Sequence, residues 1–283
     1  MMAFALGALV AHYEGSRIDL GVYVAGQLFV TSVQLMAQYL NEYWDFEADR
    51  LDISRTFFTG GSGVLSEGRV SRATALRAAV FCLVLVAVTA SDLILQFRVS
   101  PAVWAVMLLG ILGGFFYSSP PLRLESTGIG ELTASVEVAG LLPAFSYLLF
   151  AARPSLLIVL VVAPLVAFHY AMLIAFDLPD MSSDEAGGKK TLLVRVGRDR
   201  GISMHNALIV FGFGMAVVAY FAGLPARVAM SLVLTVPLAA FQVLVMNRAR
   251  RSEGISFQRV TFGAAALFAL ATTLLAISFW AIG

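Results

Sequence analysis

Charge is scarce in this chain. Asp, Glu, Lys and Arg make up 13% of its 283 residues against 59% that are hydrophobic, and the mean hydropathy is +0.86. No soluble domain or low-complexity tract interrupts the apolar pattern, which excludes a soluble enzyme. There is a single cysteine, Cys82, inside an apolar run, so no intrachain disulfide can form and a small packing residue is the simple reading. The formal net charge is only +1, so no overall field draws in nucleic acid, and none is expected as a partner. The N-terminus lacks a basic region and a small-residue cleavage site, so a cleaved signal peptide is not expected.

What the chain does have is apolar sequence in runs long enough to cross ~30 Å of hydrocarbon at about 20 residues each. Breaks at charges, prolines and glycines place spans near Met2–His12, Leu20–Leu40, Thr74–Ile94, Ala102–Ser118, Leu132–Ala151, Leu156–Phe176, Ile202–Ala222, Val228–Met246 and Val260–Ala281. The pattern predicts an all-α polytopic membrane protein with about nine transmembrane helices around a central cavity. Its first helix is too short to cross unaided, so either the true start lies upstream or this helix begins within the interface. Long polar connections follow only the second and sixth spans. That placement suggests two diverged four-helix units plus one helix, with residues 1–283 forming a single transmembrane domain.

The basic residues lie on one side. Arg17, Arg98, Arg153 and Arg227 fall in one set of loops, and all the other Lys and Arg fall in the opposite set. The positive-inside rule then puts the N-terminus and both long loops in the cytoplasm, in a multi-pass protein of the cell membrane.

Each of those loops begins with carboxylates. The first run is Asn41-Glu42-Tyr43-Trp44-Asp45-Phe46-Glu47-Ala48-Asp49, and the second is Asp177-Leu178-Pro179-Asp180-Met181-Ser182-Ser183-Asp184. Residues four apart on a helix differ by only ~40° in azimuth, so Asn41, Asp45 and Asp49 share a stripe if the helix continues. The stripe extends back into the membrane through Gln38, Gln34 and Thr31, either lining a wet or ligand-filled cavity or hydrogen-bonding neighbouring helices. Asp177, Asp180 and Asp184 also fall on one face, although Pro179 is expected to kink or end that helix. Carboxylates a turn apart repel each other unless a cation lies between them. Mg²⁺ is held by one or two carboxylates plus phosphate oxygens, so two clusters suit two ions on either side of a diphosphate.

Arg50, Arg55, Arg123, Lys189 and Lys190 stand near these acids, either as phosphate donors or as charges that fix orientation; Arg123 and Lys189 are the preferred donors. The groups Gly60-Gly61-Ser62-Gly63 and Gly187-Gly188 allow close backbone approach or simple turns. Glu137, inside the fifth span, is a candidate acceptor-binding or proton-handling group, or else a hydrogen-bonding bridge between helices. His169, two turns before Asp177, can reach the same cavity, although a lone histidine is more often a packing residue.

Taken together, the sequence resembles the UbiA superfamily of intramembrane aromatic prenyltransferases. Its two aspartate motifs correspond to Asn41-Glu42-x-x-Asp45-x-x-x-Asp49 and Asp177-x-x-Asp180-x-x-x-Asp184. Tyr117-Ser118-Ser119-Pro120-Pro121-Leu122-Arg123-Leu124, Gly128-x-Gly130-Glu131 and the stretch from Gly188-Lys189-Lys190-Thr191 to Gly197 also resemble the family. That last stretch, with Asn41-Glu42-Tyr43-Trp44-Asp45, is most similar to the branch that makes menaquinone from 1,4-dihydroxy-2-naphthoate. Two departures stand out: Glu42 replaces the usual aspartate, and the basic-proline segment before the first helix is absent.

The resemblance implies helices around a central cavity that opens sideways to lipid. It also implies Mg²⁺-dependent transfer of a prenyl chain from a polyprenyl diphosphate to an aromatic acceptor. Asn41, Asp45 and Asp49 would hold one Mg²⁺, and Asp177, Asp180 and Asp184 a second. Asp45, Asp49, Asp177 and Asp180 would be catalytic, Arg50, Arg55, Arg123 and Lys189 would bind diphosphate, and Gln34, Gln38, Tyr117, Glu137 and His169 would face the acceptor or cavity. Other acceptors used in the superfamily are 4-hydroxybenzoate, homogentisate, a porphyrin or a glycerol phosphate ether. A cation-coupled transporter is the rival class, but its acids belong near the middle of the membrane rather than at one edge beside Lys and Arg.

Overall fold

The computed structural model describes residues 1–47, 56–59, 63–65, 67–250 and 256–283. Among the described residues there is no strand. The helices are α1 (Met2–Tyr13), α2 (Leu20–Trp44), α3 (Arg72–Leu95), α4 (Pro101–Phe116), α5 (Gly130–Phe150), α6 (Leu156–Ala186), α7 (Arg198–Phe221), α8 (Ala226–Arg250) and α9 (Phe257–Ile282). Of these, seven are long and apolar enough to cross a membrane; α1 and α4 are apolar but have only 12 and 16 residues.

Local chemistry sets the boundaries. Side chains of Asp19, Ser71 and Ser155 accept hydrogen bonds from the backbone N–H groups of Val22, Thr74 and Ile158, satisfying donors exposed at the starts of α2, α3 and α6. Pro101 opens α4, where its missing N–H costs nothing. Pro179 was expected to kink or end the sixth helix, and it does not end it: α6 continues through it to Ala186, carrying the second acid run on helix. A proline ring is tolerated where packing holds the turn, and Ile174, Ala175, Leu178 and Pro179 are all buried.

The exposed faces are greasy. Val80, Phe81, Val84 and Val88 on α3, with Val210, Phe211, Val217 and Phe221 on α7, point outward. An apolar belt of this extent suits a lipid surround. Only 22% of the apolar window of α3 is buried, against 56% for α6 and 50% for α9, so α6 and α9 form the centre and α3 the rim. The main core joins Phe4, Phe29, Phe145, Phe168 and Phe279 from α1, α2, α5, α6 and α9. A second core, which includes Ile174, Leu178, Leu193, Ile202 and Met246, packs beneath the acid-bearing end of α6. The packing of α2 on α3 is as extensive as that of α6 on α7.

Candidate active site

Gln34, Gln38 and Asn41 line a cavity of about 390 Å³ between α2, α4 and α5, so much of the polar stripe faces an internal space. Thr31 does not join them; its hydroxyl donates to the Gln27 carbonyl at 2.8 Å. Regular helix stops at Trp44, and the Asp45 N–H donates to the Asn41 carbonyl at 2.8 Å, so Asp45 caps the helix and is buried. Asn41 Nδ2 lies within 3.1 Å of Asp45 Oδ2, Ser118 Oγ and Glu125 Oε2. Asp49, Arg50 and Arg55 lie outside the described residues.

Lys189 is the hub. After α6, Gly188 takes φ +74, a left-handed turn that a side chain would resist, and the Lys189 N–H donates back to the Asp184 carbonyl at 2.8 Å. This turn brings Lys189 Nζ to 2.6 Å from Asp45 Oδ2 and 3.4 Å from Glu125 Oε2. One cation therefore joins the end of α2, the connection after α4 and the connection after α6. Burial alone would lower the lysine's pKa, but Asp45, Glu125 and Asp184 outweigh it and raise it well above the ordinary range, so the ammonium stays charged.

Glu125 is a site residue that the sequence reading missed. It sits in a short 3-10 turn, Leu124–Ser126, is 2% exposed, and accepts a hydrogen bond from Ser118 Oγ at 3.0 Å. Burial pushes its pKa up to about 7 against the opposing pull of Lys189. Arg123, just before it, has a left-handed backbone (φ 42, ψ 58) that costs ~1–2 kcal/mol in a non-glycine residue, and its Nη2 lies 3.9 Å from Glu125 Oε1.

Glu131 was also missed as a site residue. Its Oε1 accepts from the Leu192 N–H at 2.7 Å, tying the start of α5 to the short helix Leu192–Val196 just after Lys189. Asp177, Asp180 and Asp184 share the end of α6, and Asp184 is buried. Asp177 Oδ2 and Glu131 Oε2 are buried without a hydrogen-bond partner among the described residues.

An all-oxygen donor set with an unsatisfied carboxylate oxygen fits a hard divalent cation such as Mg²⁺. Among the described residues no three His, Cys, Asp or Glu side chains converge as a ready-made metal cage. Mg²⁺ does not require one, because waters and phosphate oxygens complete its shell.

Tyr117 and Glu137 line the cavity with the stripe. His169 does not: its Nδ1 lies 3.1 Å from Ser135 Oγ and its ring packs edge-on against Phe268, which makes it a packing residue.

Comparisons with known proteins agree with this architecture. A 1,4-dihydroxy-2-naphthoate octaprenyltransferase from Bacillus subtilis is 22% identical over 202 residues, covering 70% of this chain and 62% of the relative. The match therefore spans less than two thirds of that curated relative. The fold is similar to that of a UbiA homolog from Archaeoglobus fulgidus bound to GPP and Mg²⁺, with TM-score 0.70 and 16% identity, covering 99% of this chain and 95% of that one. The apo UbiA homolog from Aeropyrum pernix K1 gives a TM-score of 0.63 at 16% identity, covering 99% of this chain and 95% of the other. The model of the UbiA prenyltransferase family matches residues 1–262. On that match, and with the fold in agreement, the chain belongs to the UbiA prenyltransferase family.

Proposed function

We propose that this protein transfers a polyprenyl chain from a polyprenyl diphosphate to an aromatic acceptor in a Mg²⁺-dependent reaction, with 1,4-dihydroxy-2-naphthoate, the menaquinone precursor, as the favoured acceptor. The carrying observation is the Lys189 bridge, which gathers Asp45 and Glu125 from two distant segments, with Asn41, bonded to both, lining a mostly apolar cavity. A diphosphate needs anchoring cations at one end, and its hydrocarbon tail needs a dry chamber. The naphthoate assignment is supported by the curated relative and by the Asn41-Glu42-Tyr43-Trp44-Asp45 and Gly188-to-Gly197 stretches.

In this reading Asn41, Asp45 and Asp49 hold one Mg²⁺, and Asp177, Asp180 and Asp184 hold the other. Bound Mg²⁺ supplies neutralisation of the charge that develops on the departing diphosphate. Lys189 and Arg123 donate to its oxygens and reinforce that neutralisation. The allylic C–O bond breaks, the electron pair leaves with the diphosphate, and an electron-rich ring carbon bonds to the allylic carbon. With a naphthoate acceptor, the attacking carbon is the one that bears the carboxylate, and breaking its bond to that group releases CO₂, returns the electron pair to the ring and restores aromaticity. The apolar cavity wall excludes water, which would otherwise capture the cation.

The one-sided Lys and Arg distribution supports a centre that opens to the cytoplasm from the cell membrane. A cation-coupled transporter fits less well, because the acids cluster at one end of the bundle among cations.

The direct test incubates purified protein with Mg²⁺, a labelled polyprenyl diphosphate and a panel of aromatic acceptors, and identifies the product by mass. Prenylated, decarboxylated naphthoate that disappears on chelation with EDTA is the expected result. Absence of any prenylated ring would overturn the reading.

A further inference from the structure

Deeper in the cavity lies a carboxylate that the diphosphate chemistry leaves unused. Residues Val136–Leu141 of α5 wind as a π-helix between two α-helical stretches, with the Leu142 N–H bonded to the Glu137 carbonyl. Pro143 follows directly and has no N–H to offer the carbonyl of Ala139, so the ordinary ladder is broken where the helix widens. The widened turn sets Glu137 on the cavity wall.

Its carboxylate lies over Gly113 of α4, where any added Cβ would overlap it. Gly110 and Gly114 of α4 also face the cavity, so this wall offers backbone and space rather than side chains. Gln34 of α2 lines the same cavity, about 10 Å along its helix from Asn41 toward the membrane interior. Glu137 has no hydrogen-bond or ion-pair partner among the described residues, and the neighbouring wall is Phe29, Val33, Leu142 and Phe145. A lone carboxylate among such groups is costly unless a ligand satisfies it.

We propose that Glu137 is an acceptor-binding residue: its carboxylate accepts a hydrogen bond from a ring hydroxyl of the prenyl acceptor, while Gln34 and Gln38 meet the ring's other polar groups. The acceptor class is thus a hydroxylated aromatic that enters hydroxyl-first toward α5. A ring carboxylate turned the same way would meet like charge in a medium of low dielectric, so a carboxylated ring binds with that group toward Lys189 and Arg123. The inference rests on the transferase reading above and goes further by naming the group the acceptor must present. A buried polar site of this kind rejects an analogue that lacks the matching hydroxyl.

The test uses the full-length protein in detergent with Mg²⁺, a polyprenyl diphosphate, 1,4-dihydroxy-2-naphthoate as substrate and 1,4-dimethoxy-2-naphthoate as competitive inhibitor. Glu137→Ala is expected to raise the KM for the dihydroxy ring by about tenfold or more, as loss of a charge-assisted hydrogen bond implies, and to leave the KM for the diphosphate within about twofold. Glu137→Gln, which keeps a carbonyl oxygen, falls between. The dimethoxy inhibitor, which cannot donate and leaves the carboxylate unpaired, is expected to bind wild type weakly and Glu137→Ala no less tightly. Should Glu137→Ala fold poorly, Gly113→Ala displaces the same carboxylate and is expected to raise the same KM. An active enzyme whose KM for the dihydroxy ring is unmoved by these substitutions overturns the inference and leaves the transferase reading standing. A wild-type protein that prenylates no ring at all overturns that reading itself.

Discussion

Lys189 Nζ stands 2.6 Å from Asp45 Oδ2, across 144 residues of sequence, and the pair is largely shielded, with side-chain exposures of 15% and 7%. Removing the cation takes from buried Asp45 the ammonium that faces it and leaves Glu125 only the more distant Arg123, at 3.9 Å. Breaking such a pair costs ~3–5 kcal/mol when it is fully buried, and less at a rim that water can reach. Lys189→Met is expected to lower the melting temperature in detergent and to cut turnover by about 100-fold or more, since it also removes a donor to the diphosphate. Wild-type turnover in this variant would remove Lys189 from the site.

Glu125 carries a role that the sequence reading did not assign. It receives Ser118, stands beside Asn41 and flanks Lys189, so its loss loosens the side chains that position Asp45. Glu125→Ala is expected to destabilise the protein by about 1–3 kcal/mol, the cost of stranding buried partners, and to reduce turnover. Glu125→Gln keeps an oxygen for Ser118 and recovers part of the stability. Equal melting temperatures for both variants and wild type would contradict this role.

The Glu131 carboxylate caps the short helix after Lys189 by accepting from the Leu192 N–H. Glu131→Ala leaves that N–H buried and unpaired and is expected to cost about 1–3 kcal/mol, whereas Glu131→Gln retains an acceptor and costs less. Because the cap fixes the segment that carries Lys189, the alanine variant should also raise the KM for the diphosphate. Thermal melts and steady-state kinetics on the two variants check both effects.

Orientation can be read by chemical labelling. In a Cys82→Ala background, Glu185→Cys and Arg153→Cys place thiols at exposed positions near opposite ends of α6. A membrane-impermeant thiol reagent added to intact cells is expected to label the residue-153 variant alone, and inside-out vesicles to label the residue-185 variant alone. The reverse pattern would place the acid centre outside the cytoplasm.

The apolar spans were legible because lipid imposes a uniform demand on twenty consecutive residues, and α2, α3 and α6 to α9 lie where hydropathy places them. Asp45, the run from Asp177 to Asp184 and Lys189 stood out in the sequence because carboxylates and cations at membrane edges are rare enough to notice. Pro179 does not end its helix, since a proline's effect depends on whether its neighbours hold the turn, and the packing around Leu178 is a tertiary fact. Glu125 was missed because it sits in a single 3-10 turn with no periodicity, and only the folded chain shows that the turn aims it at Asn41. The π-helical widening at Glu137 left a trace in Pro143, but a proline alone does not say whether a helix will bend, stop or widen.

The central claim is that the end of α2 and the end of α6 form one diphosphate-binding centre rather than two independent acidic patches. Ligand-induced stabilisation by Mg²⁺ plus a non-hydrolysable prenyl diphosphate analogue tests it most directly, with Asp45→Ala, Asp177→Ala and the double variant compared in one series. The account predicts a melting shift in the wild type that requires Mg²⁺, is lost in each single variant, and cannot be lost further in the double. A shift that persists in either single variant, with the two losses simply adding, would mean that the two segments do not share a ligand.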